Sequence, residues 1–216
     1  MNRKEFLKAM AILPATINMD IKALNELANA PKTERMPAFF LGHGSPMNAI
    51  EDNEFSRGWK KIGQDLPKPR AILCISAHWE TRGTFVTAMP KPKTIHDFGG
   101  FPQALFDVQY LAPGSPSIAL ETKQAIHSTE VGLDEQWGLD HGAWSVIKHL
   151  YPNADVPVIQ LSIDYTKSGQ YHFELAKQLK DLRKKGVLII GSGNMVHNLR
   201  MIAWDKMQEA NYGFKG

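Results

Sequence analysis

Only one cysteine, Cys74, occurs in this chain of 216 residues, and its scarcity removes two classes of protein at once. No intrachain disulfide framework is possible, and no cysteine-rich zinc module can form. Cys74 itself lies inside the apolar stretch Ala71–Ser76 and is expected to be buried filler, not a nucleophile. Long hydrophobic runs are also missing. No stretch approaches the roughly 20 apolar residues that a membrane-spanning helix needs, so no membrane partner is expected. Charge of one sign is in short supply as well, with 25 Lys and Arg against 22 Asp and Glu, a formal net charge of +3. The densest basic cluster, Lys180 to Lys185, falls near the end of a predicted helix, where cations suit the dipole. It reads as a solvated helix end, and no nucleic-acid partner is expected.

What remains is an ordinary globular composition, 43% hydrophobic and 22% charged, with no repeat, linker or low-complexity segment to divide it. The first residues stand apart. Met1 to Glu5 is basic and Phe6 to Ala15 is a short apolar stretch, as in a leader peptide. Lys8 interrupts that stretch, however, and no clean small-x-small cleavage site follows. Residues 20–30 have an amphipathic helical pattern. Residues 1–35 are therefore expected to be an N-terminal extension or decayed leader, and the chain to be cytoplasmic, with export through this segment as the alternative. Residues 36–216 then form the folded domain.

Within that domain, apolar runs predict strands at Met36 to Leu41, Ala71 to Ser76, Thr84 to Ala88, Val156 to Ile163 and Val187 to Ile190. The run at 71–76 has no polar alternation until Ser76, as expected of a strand covered on both faces. Helices are predicted from Asp52 to Leu66, with Phe55, Trp59, Ile62 and Leu66 on one stripe, and from Pro116 to His127 behind an N-capping Ser115. Two more are expected at Gly142 to Tyr151 and Tyr171 to Lys185. Met89 to Tyr110 is irregular and rich in Pro and Gly, the composition of a long functional loop. Alternating strands and helices at this spacing predict a single α/β domain with a largely parallel central sheet flanked by helices.

Three histidines each lie just past one of these apolar runs: His43 after 36–41, His78 after 71–76 and His197 after 187–190. The carboxyl ends of neighbouring parallel strands converge on one crevice, where ligands bind. Imidazole is the commonest metal-binding side chain and suits zinc, iron or copper better than magnesium or calcium. His43, His78 and His197 are therefore candidate ligands of one metal ion. Gly42 and Gly44 beside His43 let the main chain come close to a ligand. His197 is placed at the start of a helix after Gly191-Ser192-Gly193-Asn194, a loop too weak as a motif to indicate phosphate. Asp140 is positioned to cap the helix that follows, so His141 would project from its first turn, in a structural or catalytic role. His96 either lines a pocket or orders the irregular loop, the latter being favoured. His127, His149 and His172 read as surface residues on helices.

Several segments, taken in order, resemble the class III extradiol ring-cleavage dioxygenases, in the branch called 4,5-DOPA dioxygenase extradiol. They are Leu41-Gly42-His43-Gly44-Ser45-Pro46-Met47, Ser76-Ala77-His78-Trp79, Thr94-Ile95-His96-Asp97-Phe98-Gly99-Gly100-Phe101-Pro102, Tyr110-Leu111-Ala112-Pro113-Gly114, Trp137-Gly138-Leu139-Asp140-His141-Gly142, Val158-Ile159-Gln160-Leu161-Ser162 and Gly193-Asn194-Met195-Val196-His197-Asn198. The resemblance implies an oxidoreductase that opens the ring of a catechol such as DOPA by inserting O2 next to the diol. It implies one divalent metal, Zn2+ or Fe(II), with ligands matching His43 and His78. His197 matches a histidine at the metal, as ligand or acid/base, and His141 a substrate-side histidine used in proton transfer. Members of the family continue past the length reached here and bring a further ligand histidine, whereas no histidine follows His197. The chain is therefore expected to be a shortened form or to have an incomplete site. A zinc hydrolase using the same ligands, and a non-enzymatic interaction protein that keeps the metal-site histidines, are the alternatives.

Overall fold

The computed structural model describes residues 35–195. The expectations for residues 1–34 and for His197 lie outside them. Four parallel strands form the main sheet: β1 (Ala38–Leu41), β2 (Ala71–Ser76), β6 (Val158–Gln160) and β8 (Val187–Ser192), in the order β1-β8-β2-β6. Two short parallel ladders adjoin it. β3 (Glu80–Thr81) pairs with β7 (Ile163–Asp164), and β4 (Thr84–Thr87) pairs with β5 (Val131–Asp134). Among the described residues six helices join the strands: α1 (Glu54–Asp65), α2 (Gln103–Phe106), α3 (Pro116–Ala125), α4 (His141–Leu150), α5 (Gly169–Gln178) and α6 (Lys180–Arg183). A 3-10 turn, Pro46–Ala49, follows β1. Among the described residues no helix is long and apolar enough to cross a membrane.

The continuous apolar character of β2 and β8 follows from burial on both faces. Ile72, Cys74, Leu188 and Ile190 pack into one core with Trp59 of α1 and Trp144 and Ile147 of α4. Their neighbours Ala71, Leu73 and Val187 face the opposite way, into a second core with Ile118 of α3, Leu175 of α5 and Leu182 of α6. The period-2 geometry of a strand sends successive side chains to opposite faces, so helices on both sides favour apolar residues until the serines that end the two strands. Cys74 is fully buried. Burial pushes its thiol pKa well up, with the Asp140 charge adding to the effect, so the thiolate is suppressed.

Helix ends obey local chemistry. Asn53 caps α1 through Phe55 N and Ser56 N, and the Ser56 hydroxyl accepts from Asn53 N in return, a closed capping box. Ser115 caps α3 and Asp140 caps α4, as the sequence implies. Phe55 departs from the predicted α1 stripe. It lies in the first turn and is exposed, while Trp59, one turn further, carries the burial. The helix predicted to run to Lys185 breaks at Leu179 into α5 and α6.

The predicted strand Val156 to Ile163 is also divided. Ser162 N donates to Phe85 O, and its hydroxyl accepts from Phe85 N and Thr81 Oγ1, which steers the chain out of the main sheet into the β3–β7 ladder. β5 was not predicted, since Val131-Gly132-Leu133-Asp134 has too few apolar residues to register as a strand. Of the three histidines expected at the surface of helices, His127 lies past the end of α3 and only part of the expectation holds. His127 is exposed, but His149 packs on Trp59 with ring centroids 5.8 Å apart and donates to Asn48 O at 2.9 Å. His172 donates to Asp164 O at 3.1 Å.

Leu188 is fully buried where β8 meets the α1–α4 layer. Leu188→Ala is expected to cost about 2–5 kcal/mol of unfolding free energy, from lost transfer energy plus a cavity. Urea unfolding should show the midpoint falling at unchanged slope; a loss below about 1 kcal/mol would contradict this packing.

Candidate metal centre

Three adjacent strands of the main sheet end at one level. Leu41 of β1 and Ser76 of β2 are both in register with Ser192 of β8, which lies between them. His43 and His78 each follow two residues later, so the sheet delivers both imidazoles to the same edge. The Nε2 atoms of His43 and His78 lie 3.1 Å apart. His141, in the first turn of α4, joins them, its ring centroid 3.9 Å from that of His78 and 5.3 Å from that of His43. One donor nitrogen from each of the three falls within 4.8 Å of the others. His43 and His141 are buried, and the His78 side chain is 23% exposed, so the cluster opens towards solvent on the His78 side.

Each ring is held from behind. The Ser192 hydroxyl donates to Gly142 O at 2.5 Å, which leaves its oxygen to accept from His43 Nδ1 at 3.1 Å. His43 therefore carries its proton on Nδ1 and turns the Nε2 lone pair inward. Asp97, from the irregular loop, stands behind the other two. Its Oδ2 is 3.4 Å from His78 Nδ1 and 3.0 Å from His141 Nδ1, and its Oδ1 accepts from His141 N at 2.8 Å. The approach to His141 Nδ1 is out of line, so this enclosed nitrogen has an ionic neighbour but no aligned hydrogen bond. Burial alone would raise the Asp97 pKa. The His141 side chain and backbone N–H beside the carboxylate outweigh burial and lower it. A carboxylate at the start of α4 also matches the positive end of the helix dipole.

The placement of α4 depends on Asp140, which is completely buried. Its carboxylate accepts from Ser76 Oγ at 2.6 Å, Ala143 N at 3.1 Å and Trp137 Nε1 at 3.2 Å. Ser76 Oγ in turn accepts from His78 N at 3.2 Å. The end of β2, the start of α4 and the Trp137 loop are thus tied by one group. Asn194 Oδ1 accepts from Gly44 N at 3.1 Å, and Gly44 takes a left-handed φ of 63° there. Asn48 Nδ2 donates to His43 O at 3.0 Å.

The donor set fits a metal ion. Nitrogens bound about 2.0–2.1 Å from one ion at angles near 95–110° lie roughly 2.9–3.4 Å apart. Two inward lone pairs at 3.1 Å repel unless a proton or a cation stands between them. Of the histidines singled out in the sequence, the structure unites His43, His78 and His141; His197 lies outside the described residues. His96 is not in the cluster. It contacts Val108 O through Nε2 at 3.0 Å and packs on Trp144, Phe98 and Phe106, which orders the loop. Asp97 and Ser192 were not foreseen as site residues. Asp97 stands in the His96-Asp97-Phe98 motif, but nothing local shows that it meets a helix 44 residues away.

An α/β protein with a histidine-lined candidate metal centre at its sheet edge is the class that this fold and cluster define. Residues 37–215 match the family described as the catalytic LigB subunit of aromatic ring-opening dioxygenase, and the chain belongs to that family. It is 56% identical over 171 residues to the 4,5-DOPA dioxygenase extradiol of Escherichia coli (strain K12), covering 79% of this chain and 63% of that protein. The Beta vulgaris protein of the same name is 44% identical over 165 residues, covering 74% and 62%. A crystal structure of an uncharacterized Escherichia coli K12 protein superposes with a TM-score of 0.67 at 48% identity, over 79% of this chain and 64% of that one. The chain spans about three-fifths of the length of the curated relatives it matches.

A side chain at Gly142 would crowd this centre. A Cβ there would meet His78 Cδ2 at 2.9 Å and Asp140 Oδ1 at 3.2 Å. Gly→Ala inside a helix ordinarily stabilises by roughly 0.5–1 kcal/mol. Gly142→Ala is expected to do the reverse, lowering thermal stability and weakening Zn2+ binding at least about tenfold, the usual scale for disturbed ligand support. Differential scanning fluorimetry and a chelator-competition titration measure the two; a stabilised variant with unchanged affinity would refute the crowding.

Proposed function

We propose that this chain carries the metal centre of an extradiol dioxygenase, which opens the ring of a small catechol such as DOPA by inserting O2 next to the diol. The observation that carries the reading is the convergence of His43, His78 and His141 at the sheet edge, within the part of the chain that matches the family. His43 and His78 are the proposed ligands through their facing Nε2 atoms. His197 is proposed to act beside them as ligand or acid/base. Imidazole donors suit Fe(II) and Zn2+ alike. Fe(II), when bound, supplies the redox chemistry of ring opening.

The residues of the chain do the rest. Ser192 keeps the His43 lone pair aimed inward. His141, in the first turn of α4, takes a phenolic proton from the diol and returns it to the opened product. Histidine is the side chain suited to such a two-way role near neutral pH. Phe98 meets the His141 ring edge-on at 5.5 Å, and Phe101 packs against Phe98 at 5.5 Å. These edge-to-face rings offer an apolar wall for an aromatic substrate.

The test is reconstitution of the chain with Fe(II) under anaerobic conditions, then addition of DOPA and air. A yellow ring-opened product with matching O2 uptake is expected; iron bound with no colour and no O2 uptake would overturn the proposal. Activity with Zn2+ that needs no air would mark a hydrolase instead. His141→Gln is expected to keep the metal and lower kcat by about 10²–10⁴-fold, the range for loss of a general acid–base. Metal lost in proportion to activity would make His141 a ligand.

A further inference from the structure

We infer that Asp97 is a positioning residue of this centre, a single carboxylate that sets the orientation and tautomer of two histidines at once. The inference rests on reading the site as a metal centre and adds a residue to it. Three contacts carry it. Asp97 Oδ1 accepts from the backbone N of His141 at 2.8 Å, which anchors the carboxylate to the first turn of α4. The other oxygen, Oδ2, then lies 3.0 Å from His141 Nδ1 and 3.4 Å from His78 Nδ1. One anion thus lies within ion-pair distance of Nδ1 on both rings, without an aligned hydrogen bond to His141 Nδ1.

A carboxylate accepts hydrogen bonds and cannot donate them when ionised, so it favours a proton on each Nδ1 that it faces. The Nε2 lone pairs of His78 and His141 are thereby freed for the interior of the cluster. His43 reaches the same state by a different device, the Ser192 hydroxyl. All three imidazoles therefore present the same nitrogen, although their supports come from a loop and a strand far apart in sequence. Carboxylates behind metal-binding histidines fix ring orientation and raise ligand basicity, and their loss costs about 10–100-fold in metal affinity. The side chain of Asp97 is 19% exposed, which places it at the rim of the site with its charge turned inward. The Pro- and Gly-rich loop thus has a second role besides supplying Phe98. It carries the counter-charge of the centre.

Asp97→Asn tests this, because an amide keeps the shape and can still accept from His141 N while turning an N–H donor toward the rings. Two measurements on the full chain are needed. Long-range ¹⁵N NMR of the chelator-stripped protein should show His78 and His141 as Nδ1–H tautomers, and Asp97→Asn should shift His141 towards Nε2–H. Competition with a chromophoric chelator should show Zn2+ held about 10–100-fold more weakly by Asp97→Asn at an unchanged thermal midpoint, with Asp97→Glu recovering part of the loss. Nε2–H tautomers in the unaltered chain, or wild-type Zn2+ affinity in Asp97→Asn, would overturn the inference. Should Asp97→Asn not fold, the tautomers of the unaltered chain decide alone. Asp97-dependent Zn2+ binding in a chain that opens no catechol ring would sink the oxygenase proposal and leave this one standing.

Discussion

The hydrogen-bonded register of three strands governs everything at the site. β8 lies between β1 and β2 and pairs with both in parallel, and Leu41, Ser192 and Ser76 fall on one line across them. Parallel pairing aligns chain direction, so all three segments leave the sheet on the same side. A strand rises about 3.3 Å per residue, so a one-residue slip would carry one imidazole past the other and turn its side chain to the opposite face. The burial of β2 and β8 between two helical layers protects this register. Any slip would move alternate apolar side chains between two cores of different shape.

A polar network built on that line is costly to disturb. Ser76, Asp140 and Ser192 are all buried, and each is bonded to groups from distant parts of the chain. Buried polar groups need their partners, and a shared network specifies one arrangement more strongly than isolated bonds do. Asp140 joins β2 to α4, while Ser192 joins β8 to both His43 and Gly142. The helix carrying His141 is consequently docked by hydrogen bonds at its first turn and by apolar packing along its length. At its other end, Lys148 and His149 donate to Ala49 O and Asn48 O of the turn after β1. The same helix thus braces the loop that carries His43. Burial lowers the His149 pKa, assisted by the charges of Lys148 and Lys60, which keeps this donor neutral.

The centre divides the labour between elements that are rigid and one that is irregular. Sheet edge and helix start supply the imidazoles, where position is set by backbone register. The loop after β4 supplies Asp97 and the aromatic wall. That loop has little regular structure of its own beyond α2, and it is tied down by side chains instead, with Thr94 bonded to Tyr110 and His96 to Val108. Loops supported in this way can vary the wall that meets a substrate while the metal-binding geometry stays with the scaffold.

Sequence alone determined the strands whose two faces are buried, because an unbroken apolar run has few other solutions. Those runs also marked His43 and His78 as residues beyond strand ends, and Asp140 as a helix cap, since capping is chemistry within one turn. The short strands β3 and β5 were illegible, for they are held by neighbours and not by their own pattern. Tertiary structure decided which histidines meet. His141 could be read equally as a structural residue until α4 was docked on Ser76, and His96 was separated from the cluster only by its bond to the loop. The roles of Asp97 and Ser192 belong wholly to the fold. Their contacts span 44 and 149 residues, and hydrogen bonds of that range depend on packing that no local pattern records.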